Sequence, residues 1–213
     1  MSAFETPLGG KATTLLRAAG LGARHLGYCR VYQPGAYTFT APYTGQWKFV
    51  LHGAGGDWTN LGTGQASASG AYVEKTIPLN AGQTVSITVG AGGSGTNTTA
   101  VAAGYPTMSA GAANSFTVGV ASGGDVNLDG SLGGTSGAVA GVNGLGAGGG
   151  SGGTAGGGWG GGGGAPGSAE FPGGKGQDGG NTATTGISPG GGRAGTAGGP
   201  GGDGRAVVLL VSY

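Results

Sequence analysis

Apolar and polar residues alternate in several short runs of this chain, each bounded by glycine, proline or asparagine. "AYTFTAP" (36–42) sets Tyr37 and Phe39 against Thr38 and Thr40, and "GQWKFVLHG" (45–53) sets Trp47, Phe49 and Leu51 on one face. "AYVEKTIPL" (71–79) and "QTVSITVG" (83–90) repeat the pattern, the latter with Val85, Ile87 and Val89 inward. A period of two bounded in this way predicts β-strands. "NSFTVGVAS" (114–122) predicts a weaker fifth strand. "RAVVLLVSY" (205–213) is apolar on both sides, with Val207, Leu209 and Val211 alternating against Val208 and Leu210. Such a strand is expected to be covered on both faces and to pair with an early strand between residues 36 and 91. Trp47, Tyr37 and Phe39 are the expected core aromatics.

The first 32 residues follow another pattern. "TTLLRAAGLGARHL" (13–26) makes a turn or two of helix with Leu15, Leu16 and Ala19 on one side, ended by Gly20 and Gly22. Two readings stand open for this arm: a loosely structured terminus, or a docking segment for another protein.

Between the fifth strand and the closing one the alternation stops and glycine takes over. Of 213 residues, 59 are glycine and only 9 proline, a balance that normally marks a disordered segment. Charged residues make up only 8%, however, and disordered chains usually stay solvated through charge. The glycines also have a spacing: residues 192, 195, 198, 201 and 204 are all glycine, as are 173, 176 and 179. A period of three matches a polyproline-II-type helix, with about 3 residues per turn and about 3.1 Å rise per residue. Such a helix has no internal hydrogen bonds, and each buried backbone group must find a partner. Without Cβ atoms, neighbouring glycine helices approach closely enough to satisfy one another. Residues 141–204 are therefore expected to hold several short runs bonded laterally, folding back at the non-glycine breaks. Collagen is excluded, because proline is scarce and the triplet register slips.

The expected fold class is mainly β plus polyglycine-II helices, a small antiparallel sheet or sandwich with a packed glycine-helix domain and very little α-helix. The expected organisation is an arm at 1–32 and one glycine-rich domain at 33–213. The latter divides into a β-rich part (33–122), a glycine tract (123–204) and the closing strand (205–213).

The charge balance, 9 Lys and Arg against 8 Asp and Glu, offers no basic field for nucleic acid. No apolar run reaches the roughly 20 residues of a membrane-spanning helix, so no membrane insertion is expected. The N-terminus lacks the basic-then-apolar order of a secretory signal. Cys29 is the single cysteine, which leaves no internal disulfide and suggests a small buried hydrophobe. Catalytic motifs fail on context. "GGSGG" around Ser151 has neither the strand before it nor the helix after it that a hydrolase nucleophile needs. The glycines after His52 are not followed by a dinucleotide-binding helix, and Asp178 and Asp203 match a calcium repeat incompletely. His52 reads as a polar face residue. No catalytic residue, metal ligand or cofactor is expected.

The order of these features resembles the glycine-rich domains of bacteriophage tail-fibre and tail-tip proteins. The residues that carry it are "GAYTFTAPYTGQWKFVLHGAGG", "IPLNAGQTVSITVGAGG", "NSFTVGVASGG", the glycine tract and the terminal "GGDGRAVVLLVSY", together covering roughly residues 35–213. The resemblance implies a polyglycine-II sandwich whose loops contact a host receptor. It implies a virion location on the phage tail after synthesis in the host cytoplasm, and partners among other virion proteins, which the arm and its Leu15, Leu16 and Ala19 would engage. A homo-oligomer in the particle is compatible with it. The alternative is a purely structural virion part, such as a capsid fibre, decoration protein or tail-tip plug. An ice- or matrix-binding glycine-helix protein would want a long regular face and disulfides.

A scaffold poor in side chains must bind through the loops that interrupt it. The candidate receptor contacts are Trp58, Asn60, Tyr105, Asp129, Trp159, Glu170 and Phe171, where ring faces and polar groups suit a sugar or a protein loop of the host outer surface. Loop aromatics are equally suited to sealing a scaffold edge.

Overall fold

The structure, a computed structural model, describes residues 28–57, 66–114, 116–134, 164–174, 188–191 and 200–213. Leu15, Leu16, Ala19, Trp58, Asn60 and Trp159 lie outside the described residues, as does most of the 141–204 tract.

The described chain is mostly β, in two antiparallel sheets, with no helix. Sheet A has the order β1 (Cys29–Tyr32), β10 (Arg205–Ser212), β3 (Gly45–His52), β4 (Tyr72–Leu79) and β9 (Val126–Leu128). Sheet B has the order β2 (Gly35–Thr40), β5 (Thr84–Val89), β6 (Thr98–Ala102), β7 (Met108–Ala110) and β8 (Ala121–Ser122). The closing strand runs between β1 and β3, with Val207 opposite both Val31 and Val50. Ala206 through Leu210 are all buried, as a strand apolar on both faces requires.

Period-two alternation sends one set of side chains from each sheet into a shared core. Trp47, Phe49, Leu51, Val73, Ile77, Val208 and Leu210 of sheet A meet Phe39, Val85, Ile87, Ala100 and Met108 of sheet B. Phe39 stands edge-on to Trp47 at 5.0 Å between ring centroids, and Tyr28 meets Trp47 also at 5.0 Å and Phe39 at 6.1 Å, so the three rings form a triangle. Such T-shaped pairs add to the burial energy of the rings. A second, smaller cluster lies on the outer side of sheet A, where Val50, Tyr72, Val207 and Leu209 gather beneath Phe171.

The outer face of sheet B is different. Thr38 sits opposite Ser86, and Ser86 opposite Val101; Thr88 sits opposite Thr99, and Thr99 opposite Ser109. None of the sheet's five strands (GAYTFT, TVSITV, TTAVA, MSA and AS) contains a charged residue. Sheet A carries Arg30, Lys48, Glu74, Lys75 and Arg205.

The glycine segments all continue from one end of the sandwich, where β3 ends and β4 and β10 begin. Gly53 and Gly56 donate to Ala71 and Ala68 of the facing segment, while the N–H of Gly55 turns to Gly202 and Ala54 accepts from Ala113. Ala66 and Ser69 likewise donate to Gly134 and Ser131. Donors three residues apart thus meet the same neighbour, and those between meet other neighbours. Glycine is required where the backbones touch: a Cβ on Gly53 would overlap the Gly111 carbonyl, and one on Gly70 the Gly53 carbonyl. At the opposite end lie the hairpin turns, including Gly82 at φ 86°, a left-handed position that suits glycine. Tyr28 lies there too, at the end away from the glycine layer.

Several expectations need correcting. Tyr105 and Asp129 are expected as loop residues, yet strands adjoin them. Residues 98–102 and 108–110 form β6 and β7, because Ala100, Ala102 and Met108 point inward while Thr99 and Val101 point out. Asp129 directly follows β9, which extends sheet A beyond β4. The fifth strand shrinks to Ala121–Ser122 plus a bridge between Asn114 and Thr117, and Phe116 and Val120 stay exposed. β1 falls inside the predicted arm and pairs with β10, so its residues belong to the sandwich. Cross-bonded glycine segments also begin earlier than residue 123, at 53–57 and 66–71.

Candidate functional site

The described receptor candidates do not converge. Tyr105 lies at the same end of the sandwich as Tyr28; its ring packs against the main core and its hydroxyl donates to the Pro78 carbonyl at 3.4 Å. Asp129 follows β9 and is exposed, and its Oδ1 accepts the Ala121 N–H at 2.8 Å. Glu170 and Phe171 sit at the tip of the 164–174 loop. The base of that loop belongs to the glycine layer, through bonds from Ala165 to Gly174 and from Gly174 to Pro189. Its tip reaches across the outer side of sheet A.

Phe171 is the correction among the site residues. It is only 2% exposed, seated on Val50, Val207 and Leu209, so its ring seals the sheet and offers no face to a receptor. Lys48 places its Nζ 5.2 Å from the ring centroid, a cation–π contact that fixes the lid further. Truncating a buried phenylalanine costs about 3–5 kcal/mol. Phe171→Ala is expected to lose about 3 kcal/mol in urea unfolding, since part of the loop can collapse into the gap. A loss under about 1 kcal/mol would contradict this packing.

Around the lid lies a polar constellation that sequence reading missed. Lys48 and Glu74 are diagonal neighbours on β3 and β4, and Lys48 Nζ meets Glu74 Oε2 at 2.6 Å. The Tyr72 hydroxyl bonds Glu74 Oε1 and lies 3.1 Å from the Ser168 Oγ, which in turn accepts the Phe171 N–H. Burial alone would raise the Glu74 pKa; hydrogen bonds from Lys48 and Tyr72 outweigh it and leave the carboxyl below its ordinary value. Burial and the Glu74 carboxylate push the Tyr72 phenol far up, so it stays a neutral donor. The available signal was the outward placement of Lys48 and Glu74 on adjacent strands.

His52 departs most from expectation. It is fully buried, and its ring stands edge-on to Tyr72 at 4.8 Å. Among the described residues neither ring nitrogen has a partner at good hydrogen-bond geometry, the Phe171 backbone lying too poorly aligned to form one. Burial, reinforced by the nearby Arg205 cation, holds its pKa well below 6.5; the Phe171 backbone works weakly the other way. The native state therefore keeps His52 neutral where the unfolded chain would protonate it. Unfolding then takes up a proton, and stability falls as pH drops below about 6.5, by at most about 1.4 kcal/mol per pH unit. Urea midpoints measured from neutral pH downward should drop in this window, and His52→Phe should flatten that part of the profile. A His52→Phe profile parallel to wild type would contradict the assignment.

The constellation holds a lid over the outer side of sheet A. Burial pushes the Cys29 thiol up to about 11, against a smaller opposing effect of Arg205, so it is not a reactive thiolate. Among the described residues no group of three His, Cys, Asp or Glu side chains is placed to hold a metal ion. Asp203, considered for calcium, instead accepts the Gly92 N–H at 2.8 Å and ties the β5–β6 turn to the glycine layer.

No protein-family model matches the chain, and no curated protein matches it significantly.

Proposed function

We propose that the chain is a non-enzymatic bacteriophage virion protein of the tail fibre or tail tip, which grips a host surface molecule non-covalently. The observation that carries this reading is its two-ended build. Tyr28 and the hairpin turns lie at one end. Gly134, Gly164, Gly174 and Gly191 belong to the glycine layer at the other. In the sequence the candidate contacts Trp58, Asn60 and Trp159 stand within a few residues of described segments of that layer. Rigid scaffolds commonly display recognition loops in this way.

The same reading takes the glycine segments as packed polyglycine-II helices. A helix with about three residues per turn presents every third residue to the same side. The paired donations from Gly53 and Gly56, and from Ala66 and Ser69, have that period. Leu15, Leu16 and Ala19 in the arm are then the attachment residues toward other virion proteins, on a tail assembled in the host cytoplasm.

Antibodies against the folded domain test the proposal on intact particles of the encoding phage. The expected result is labelling at the distal tail together with reduced adsorption to host cells. Labelling without any effect on adsorption would favour the structural alternative, and unlabelled particles would refute both.

A further inference from the structure

We infer that the outer face of sheet B is a binding surface for a neutral polysaccharide of the host envelope. The inference rests on the adhesin reading and adds to the loop contacts a flank that meets an extended polymer.

The first observation is the absence of charge. Folded surfaces are ordinarily rich in Lys, Arg, Asp and Glu. This face has none across its five strands, while the opposite sheet holds charged residues and is partly roofed by the 164–174 loop. The second observation is what replaces charge. Thr38, Ser86, Thr88, Thr99 and Ser109 share the outer side, around Val101 at 47% exposure. Their spacing follows from the sheet, about 4.8 Å between strands and about 6.8 Å between alternate residues along a strand. Each hydroxyl both donates and accepts, the chemistry of a sugar hydroxyl. Threonine is β-branched and stiff, so ordering these side chains on binding costs little entropy.

Composition selects among the possible occupants. Protein interfaces are enriched in aromatic residues, Met and Arg and depleted in Ser and Ala, the reverse of this face. Phosphorylated or otherwise anionic polymers need cations, and none stands on these strands. An uncharged polymer with repeating hydroxyls fits a regular, uncharged array of hydroxyls and methyl groups, and can engage it in several registers.

The test is affinity electrophoresis of the full chain through gels containing dextran, mannan, galactan or, as an anionic comparison, polygalacturonate. The variant is Thr38→Val/Thr88→Val/Thr99→Val, which keeps shape and strand preference while removing hydroxyls. Wild type should be retarded by at least one neutral polysaccharide, with little change on adding salt. The variant should bind at least about tenfold more weakly with an unchanged melting temperature, since three hydroxyl contacts are gone. No retardation by any neutral gel, retardation only by polygalacturonate, or equal retardation of the variant would overturn the inference. So would concentration-dependent dimerisation that the valines abolish, because the face would then be a contact between copies. Binding of both proteins to whole host cells separates the two readings. Equal cell binding by wild type and variant leaves the adhesin reading intact and removes this one; no cell binding by wild type removes the adhesin reading itself.

Discussion

Deleting residues 206–213 is expected to leave no soluble folded protein. β10 is the second strand of sheet A, bonded to β1 on one side and β3 on the other. Val208 and Leu210 enter the main core, and Val207 and Leu209 enter the cluster under Phe171. Full burial of each such side chain contributes about 1.5–3 kcal/mol, so these four alone supply about 6–12 kcal/mol. That rivals the whole stability of a typical domain, about 5–15 kcal/mol. The deletion also strands β1 without a partner and opens the edge of β3. A milder version, Leu210→Asp, buries an unpaired carboxylate and should be nearly as damaging. The measurement is soluble yield and the cooperative melting transition. A truncated chain with wild-type yield and melting would contradict the central place of this strand.

The second large effect is expected from single side chains added to the glycine layer. In Gly53→Val the new atoms meet the Gly111 carbonyl, and that oxygen belongs to backbone held on several sides. A flexible side chain would swing away; a cross-bonded main chain must separate. Overpacking by itself costs about 1–3 kcal/mol. Separation also breaks lateral bonds such as Gly53 to Ala71 and Ala71 to Gly111, each contributing about 0.5–1.5 kcal/mol. Valine brings more than one such overlap, so the loss should exceed about 4 kcal/mol. Gly104→Ala is the matched comparison, with no atom within 4 Å of the added Cβ and only a positive φ of 81° to strain it. It should cost about 1–2 kcal/mol. Equal stability of the two variants, read by urea unfolding, would show that the close approach at Gly53 does not carry the fold.

The legible part of this fold was the part built from large side chains. Trp47, Phe49 and Leu51, and Val85, Ile87 and Val89, announce their strands because each inward residue differs sharply from its neighbours. β6 and β7 escaped because their inward residues are mostly alanine, which contrasts little with threonine and serine. β1 escaped because it is four residues long and held by β10, nearly the whole chain away in sequence. The three-residue glycine spacing suggested lateral backbone bonding over 141–204, most of which lies outside the described residues. It did not give the partners, which are set by which strand ends lie side by side; hence 53–57 and 66–71 join segments far downstream. Phe171 looked like an exposed loop aromatic because its neighbours are Pro172 and glycines. Its burial depends on the apolar outer patch of sheet A; the two-faced closing strand announced that something covers Val207 and Leu209, but not that Phe171 does.

On the proposed function, one end of this domain attaches to a phage tail while the glycine-layer end faces the host. A cryo-electron microscopy reconstruction of the intact particle tests it most directly. The predicted result places Tyr28 and Tyr213 toward the tail body, with the 53–57 and 200–204 segments at the free distal end. A domain seated the other way round, with the glycine layer enclosed by neighbouring subunits, would contradict it.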